Sequence, residues 1–184
     1  MTLVAVGVGG SGPLARRFVE AAIDAIDRHP RLAFVSDSAR YENPAVSMTA
    51  AHRFVNAAVL VETALAPTAL LDELLALERR LGRVRTLRWG PRSLDLDLLW
   101  MEGVRLASPR LVVPHPRLEE RAFALVPLAE AFDRAGLPLP LELERARRRQ
   151  GVAARLRRLP PWIAPRRRPS TDERQDARAG DALS

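Results

Sequence analysis

A chain of 184 residues with 47% hydrophobic content is long enough for one well-buried domain and too short for a dinucleotide domain joined to a substrate domain. The absence of cysteine excludes thiol nucleophiles, zinc-thiolate sites, iron–sulfur clusters and disulfides. All 29 basic residues are arginine, which excludes a Walker-type phosphate loop, a protein-kinase lysine and any lysine Schiff base. Phosphates, if handled, must be met by arginine and metal.

The net charge of +7 is uneven. From Leu141 onward 12 arginines stand against 6 acidic residues, whereas residues 1–140 carry 17 against 16, so the body is nearly neutral and the basicity belongs to the end of the chain. An Arg-rich terminus can bind nucleic acid or acidic lipid. Here no aromatics interleave with the charges, and residues 164–184 read as a solvated, disordered tail after a single domain over residues 1–163. No nucleic-acid partner is expected. No apolar run approaches the roughly 20 residues that span a bilayer, and the N-terminus lacks the basic-then-apolar order of a signal peptide, so a cytoplasmic protein without a membrane partner is expected, as a monomer.

In chain order, residues 3–8 suit a buried strand, and Leu14 to Ile26 repeats apolar residues at helical spacing until His29-Pro30. The run "LVAVGVGGSGP" between them contains Gly7, Gly9 and Gly12 as G-x-G-x-x-G, a dinucleotide fingerprint by pattern. The second βαβ unit that would complete such a cradle is missing, so these glycines read as the tight exit of the first strand. Leu32–Ser36 is a second strand, and residues 38–53, "SARYENPAVSMTAAHR", read as a long loop. "FVNAAVLVETAL" is a strand of β-branched and small residues, and "PTALLDELLALERRLG" is a helix started by Pro67 and stopped by Gly82. "RVRTLRWGPRS" is irregular and basic, "LDLDLLWM" is a strictly alternating strand, "EGVRL" and "RLVVP" make short edge strands, and "RAFALVPLAEAF" is the last helix. This order predicts an α/β (α+β) sandwich of the ferredoxin-like kind, a mainly antiparallel central sheet flanked by helices.

In "SLDLDLLW", Asp95 and Asp97 share one face of the strand while Leu94, Leu96 and Leu98 share the other. Two carboxylates about 7 Å apart repel by roughly 2–3 kcal/mol at an effective dielectric near 20, a cost that a cation between them removes. Mg²⁺ needs few protein ligands and completes its octahedron with water and phosphate oxygens. The same D-x-D also serves as the exposed polar face of an amphipathic strand. Arg83, Arg85, Arg88 and Arg92 precede it on a loop with Trp89. Guanidinium forks beside a metal-binding strand supply both halves of a phosphoryl-transfer site, although surface arginines also serve solubility. His115 follows a strand between two prolines, with Arg121 and Phe123 downstream, and by itself is equally a turn histidine.

"NAAVLVET", "LERRLGRVR", "RWGPRSLDLDLLW" and "VPHPRLEERAFALVPLAE" together resemble the 6-hydroxymethyl-7,8-dihydropterin pyrophosphokinases over about residues 3 to 135. The resemblance implies an ATP-dependent diphosphotransferase of folate biosynthesis. Such enzymes transfer the β,γ-pyrophosphoryl group of ATP to the pterin hydroxymethyl oxygen and release AMP, with two Mg²⁺ ions. It implies that Asp95 and Asp97 are the metal ligands and act with Arg83 and Arg92 as the catalytic residues. ATP would be held by Glu78, Arg85, Arg88 and Trp89, and further by Arg92, Arg110, His115 and Arg121. For the pterin it implies Asn56 on the ring edge, Phe54 and Phe123 on the two ring faces, and Asn43, Pro44, Val46, Trp89 and Asp95 around it. Read from the residues alone, Phe54 and Phe123 would be core.

Where the family has Gly-Ser-Asn-Leu after its first strand, this chain has Gly9-Gly10-Ser11-Gly12. The usual tyrosine of the ring sandwich is Phe54, and the usual threonine before the loop proline is Asn43. These departures cluster at the pterin end. They keep open a second expectation, a non-catalytic or repurposed paralogue that binds a pterin or nucleotide.

Overall fold

The computed structural model describes residues 1–43, 54–81, 94–150 and 156–162. Strand β1 (Thr2–Ser11) leads into α1 (Ala15–Asp27), then β2 (Ala33–Asp37) and β3 (Tyr41–Asn43). Strand β4 (Phe54–Thr63) leads into α2 (Pro67–Arg80), and β5 (Asp95–Met101) is followed by the hairpin of β6 (Leu106–Ala107) and β7 (Val112–Val113). A 3-10 turn, Leu118–Glu120, precedes α3 (Ala122–Arg134), α4 (Leu141–Gln150) and β8 (Arg157–Arg158).

The large sheet runs β5-β1-β4-β3-β8, with β2 also on β4, and every described pairing is antiparallel. One edge of β4 is shared by β2 along Val59–Glu62 and by β3 along Phe54–Asn56. Ser38 fills the break between them. Its N–H donates to the Ala58 carbonyl at 2.9 Å and its hydroxyl accepts from the Ala58 N–H at 3.0 Å, so the ladder of β4 has no gap where the neighbouring strand changes.

Period-two alternation sorts the side chains onto two faces. Val4, Val6, Val8, Val59, Val61, Leu94, Leu96 and Leu98 pack against α1 and α2, whose Val19, Ile26, Leu70 and Leu74 are fully buried. Ala5, Ala58, Leu60, Leu99 and Trp100 pack against Leu125, Leu128, Ala131 and Phe132 of α3, with Leu143 and Ala146 of α4 behind. Trp100 meets Phe132 edge-on, with ring centroids 5.8 Å apart, a favoured aromatic arrangement. This three-layered arrangement, a central antiparallel sheet flanked by helices on both faces, is the architecture expected from the order of elements.

Four local expectations are corrected. Tyr41–Asn43 is a strand within the span read as loop; its three residues are held by backbone pairing rather than by apolar alternation. Leu141–Gln150 is a helix where the chain looked only basic; its packing relies on just Leu143 and Ala146, which are three apart and buried. Arg157–Arg158 is a short strand in the same Arg-rich region. The glycines are not the exit of the first strand. Gly7, Gly9 and Gly10 lie within β1 and pair with β4, and only Gly12, at φ 90°, makes the turn, a conformation that glycine adopts without penalty.

Candidate active site

The pairing register brings two rows of residues across the middle of the sheet. Asn56 of β4 faces Gly9 of β1, which faces Asp95 of β5; one step along, Ala58 faces Gly7, which faces Asp97. Directly opposed residues share a sheet face. Asn56, Asp95 and Asp97 therefore stand on the face that carries α3, beyond the apolar part that α3 covers. Leu94, Leu96 and Leu98 are buried on the opposite face at 0%, 3% and 3% exposure, the division that the alternation predicted.

The two glycines on this face have different neighbours. A Cβ on Gly7 would come within 3.2 Å of the Leu99 side chain, which would have to shift by a few tenths of an ångström to admit it. A Cβ on Gly9 would meet only Asn56 Oδ1 at 3.4 Å and the Asp95 carbonyl at 3.9 Å among the described residues, which are ordinary contacts. Packing within the described protein does not demand a glycine at 9, and its bare backbone leaves a hollow between Asn56 and Asp95.

Asn56 is held by its neighbour. Its Nδ2 donates to Asn43 Oδ1 at 2.7 Å, which leaves Oδ1 turned toward Gly9. Phe54 pairs with Asn43 at the end of β4, and Phe123 lies in the first turn of α3 with the Arg121 guanidinium 5.6 Å from its ring centre. Both phenylalanines are half-buried and outside the core clusters, so the alternative reading of them as core does not hold.

His115 joins the carboxylates from the other side. Its N–H donates to the Leu99 carbonyl at 2.8 Å, and its Nδ1 accepts from the Arg117 N–H at 3.2 Å, leaving Nε2 for a ligand. Burial pushes the imidazole pKa below its ordinary value; the charges of Asp97 and Asp95 oppose this and Arg121 reinforces it. The His115 backbone is thus held to β5 two residues beyond Asp97, and Arg121 stands at the start of α3.

Two residues expected at ATP occupy other environments. Glu78 is 2% exposed, and its Oε1 accepts from the Leu96 N–H at 2.7 Å. Enclosed between α2 and β5, this carboxylate meets a backbone donor on the outer edge of β5 and so helps to fix the strand that bears the aspartates. Arg110 is exposed and pairs with Asp72 of α2. Pro44, Val46, Arg83, Arg85, Arg88, Trp89 and Arg92 lie outside the described residues. Gly9 went unrecognised as a part of the site, although its two-residue spacing from Gly7 in a strand context was the available signal.

Among the described residues no three acidic or histidine side chains are grouped to enclose a metal. Two hard oxygen donors on one strand face still fit Mg²⁺, which retains water and substrate oxygens in its shell; they do not fit an ion that needs an all-protein cage.

An antiparallel α/β sandwich presenting paired carboxylates beside a histidine and an arginine is the frame of a protein that handles charged phosphate groups. The family model of 7,8-dihydro-6-hydroxymethylpterin-pyrophosphokinase (HPPK) matches residues 5–133, and the chain belongs to that family. A 2-amino-4-hydroxy-6-hydroxymethyldihydropteridine pyrophosphokinase of Methylorubrum extorquens is 42% identical over 130 residues, covering 71% of this chain and 82% of the relative. The protein of the same name from Pseudomonas aeruginosa is 43% identical over 135 residues, covering 73% and 83%. Among solved structures, a Plasmodium falciparum HPPK-DHPS chain with SDX-DHP superimposes with a TM-score of 0.55 at 11% identity, over 82% of this chain. The present chain spans only 44% of that one, and the likeness bears on the fold alone.

Proposed function

We propose that this protein transfers the β,γ-pyrophosphoryl group of ATP to the hydroxymethyl oxygen of 6-hydroxymethyl-7,8-dihydropterin, a step of folate biosynthesis. The pterin oxygen bonds to the β-phosphorus, the bond from that phosphorus to the bridging α,β-oxygen breaks, AMP leaves with the electron pair, and the hydroxyl proton is released. The observation that carries this reading is the register that sets Asn56, Gly9, Asp95 and Asp97 side by side on one sheet face, with His115 held to β5 at Leu99, in a chain of this family.

The division of labour follows from the geometry. Asn56, held by Asn43, presents a fixed acceptor to the donor edge of the heterocycle, and Phe54 and Phe123 supply flat apolar faces. Arg121 and His115 donate to phosphate oxygens. Asp95 and Asp97 hold Mg²⁺, two ions being our reading. When bound, these ions supply charge neutralisation across the phosphates and polarise the attacking hydroxyl. Arg83 and Arg92 are assigned to the transferring group, Arg85, Arg88, Trp89 and Arg110 to ATP, and Pro44 and Val46 to the pterin. A domain over residues 1–163 acting as a cytoplasmic monomer completes the proposal; that residues 156–162 pack on the sheet edge supports the boundary.

Purified protein given ATP, Mg²⁺ and the hydroxymethyl-dihydropterin should release AMP in equal amount to the pterin diphosphate. ADP as product, or tight ligand binding with no AMP, would sink the proposal.

A further inference from the structure

Strand β3 precedes the site and is poorly supported by itself. It pairs with β4 at three positions, Tyr41 with Asn56, Glu42 with Val55 and Asn43 with Phe54, and so short a strand specifies its register weakly. Yet Asn43 must sit accurately, because its Oδ1 is the acceptor that orients Asn56 at 2.7 Å.

The other edge of β3 is covered by a segment that belongs to none of the family's matched residues, 5–133. Arg158 pairs with Tyr41 and Arg157 with Glu42 as strand partners, and the Leu159 N–H donates to the Arg40 carbonyl at 2.8 Å. The Arg157 guanidinium holds the Glu42 carboxylate, with Nε 3.0 Å from Oε2. Arg158 reaches Glu130 of α3 at 2.6 Å, where the Tyr41 hydroxyl also donates at 2.9 Å and the Ala39 N–H at 3.0 Å. At the far end the Arg16 guanidinium of α1 lies 5.1 Å from the centre of the Trp162 ring and donates to the Pro160 carbonyl. Seven residues thus tie α1, β3 and α3 together around one three-residue strand.

We infer that residues 156–162 are a positioning strap for the pterin side of the site, acting through β3 and Asn43 on the Asn56 amide. This rests on the pyrophosphokinase reading above. Arg157, Arg158 and Glu130 touch no substrate; their role is to keep β3 in register, so that Asn56 offers Oδ1 rather than Nδ2 to the hollow above Gly9. Exposed ion pairs add little to global stability, so removing them displaces a short edge strand without unfolding a sandwich whose core lies elsewhere.

Arg158→Ala, and Arg157→Ala with Arg158→Ala, are compared with the wild-type full chain in steady-state assays of AMP release. The expected result is a rise in the pterin KM on the order of tenfold, as small displacements of a positioning group produce. The ATP KM and the kcat at saturating pterin should stay within about twofold, and Arg158→Lys should recover part of the pterin KM. The Asn56 side-chain amide resonances, assigned by their loss in Asn56→Asp, should shift in Arg158→Ala. Equal rises in both KM values, no rise in either, or a pterin effect with unmoved Asn56 resonances would overturn the strap. If the double variant fails to fold, Arg158→Ala alone decides. A wild-type chain that makes no AMP would instead refute the proposed function.

Discussion

Asn56 Nδ2 and Asn43 Oδ1 lie 2.7 Å apart, and this contact determines which end of the Asn56 amide faces the site. An unsupported asparagine can present oxygen or nitrogen equally well; with Nδ2 occupied, oxygen remains. In Asn43→Ala the amide is free to rotate, and a half-buried donor loses its partner, at a cost of about 1 kcal/mol. The pterin KM should rise roughly five- to tenfold while the ATP KM holds. Asn43→Asp keeps the acceptor and should retain most of the pterin affinity. Steady-state kinetics with each substrate varied in turn checks both.

Asp97 stands opposite Gly7 and Asp95 opposite Gly9 on one sheet face, and their backbones are held by antiparallel pairing with β1. Asp97→Ala should therefore leave far-UV circular dichroism unchanged. It should lower kcat by roughly a thousandfold, the effect of losing several kcal/mol of metal-borne charge stabilisation. Mg²⁺ with ATP should raise the melting temperature of the wild type and leave that of the variant nearly unmoved. A variant with full turnover would refute the metal role.

Glu78 should behave in the opposite way. Its carboxylate is buried and accepts from the Leu96 N–H at 2.7 Å, so Glu78→Ala leaves an edge donor of β5 unsatisfied in an apolar setting. A loss of about 2 kcal/mol in urea unfolding is expected, with lower activity because the aspartate strand loosens. Glu78→Gln keeps an acceptor oxygen of the same shape and should recover most of the stability. A glutamate acting on ATP itself would show the reverse pattern, with stability intact and the ATP KM raised.

These contrasting carboxylates show what the sequence made legible. Asp95 and Asp97 could be read because alternation in "LDLDLL" separates charge from leucine unambiguously. Glu78 could not, because an acidic residue on an amphipathic helix ordinarily faces water, and only the tertiary approach of β5 gives it a backbone donor. β3 was invisible for a related reason: Tyr41, Glu42 and Asn43 carry no apolar pattern and are a strand only through the backbones of β4 and β8. The glycines misled because G-x-G-x-x-G is legible as a turn, whereas only Gly12 has the positive φ of one. The Arg-rich span on which half of the expected phosphate contacts fall, residues 82–93, lies outside the described part of the chain.

Gly9 yields a prediction that separates site from scaffold. A Cβ there meets Asn56 Oδ1 at 3.4 Å and the Asp95 carbonyl at 3.9 Å, contacts that the described structure tolerates. Gly9→Ala should thus melt close to the wild type, or above it, since a strand glycine costs backbone entropy. The added methyl fills the hollow between Asn56 and Asp95, and the pterin KM should rise by at least an order of magnitude, about the 1.4 kcal/mol that tenfold represents. Gly7→Ala, whose Cβ would press on Leu99 at 3.2 Å, should instead lower stability. An equal loss of stability in both variants would remove the distinction.

Glu130 governs the acid response of the β3 edge. Burial opposes its ionisation, but hydrogen bonds from Arg158, the Ala39 N–H and Tyr41, with the nearby charge of Arg134, outweigh that and hold its pKa below the ordinary 4.5. Tyr41 is displaced in the other direction, its phenol held protonated by burial and by Glu130. A carboxylate whose pKa is depressed by folding stabilises the native state fully above its unfolded pKa, and that contribution is lost as pH falls through the lower, folded value. Stability measured by urea unfolding should accordingly be flat with respect to Glu130 near neutrality and decline below about pH 4.5, the ordinary value from which Glu130 is displaced. Glu130→Gln should be less stable than the wild type at pH 7, and the gap should narrow as the pH is lowered through that window. A gap that stays constant down to the acid limit would show that the charge of Glu130 is not what binds β3 to α3.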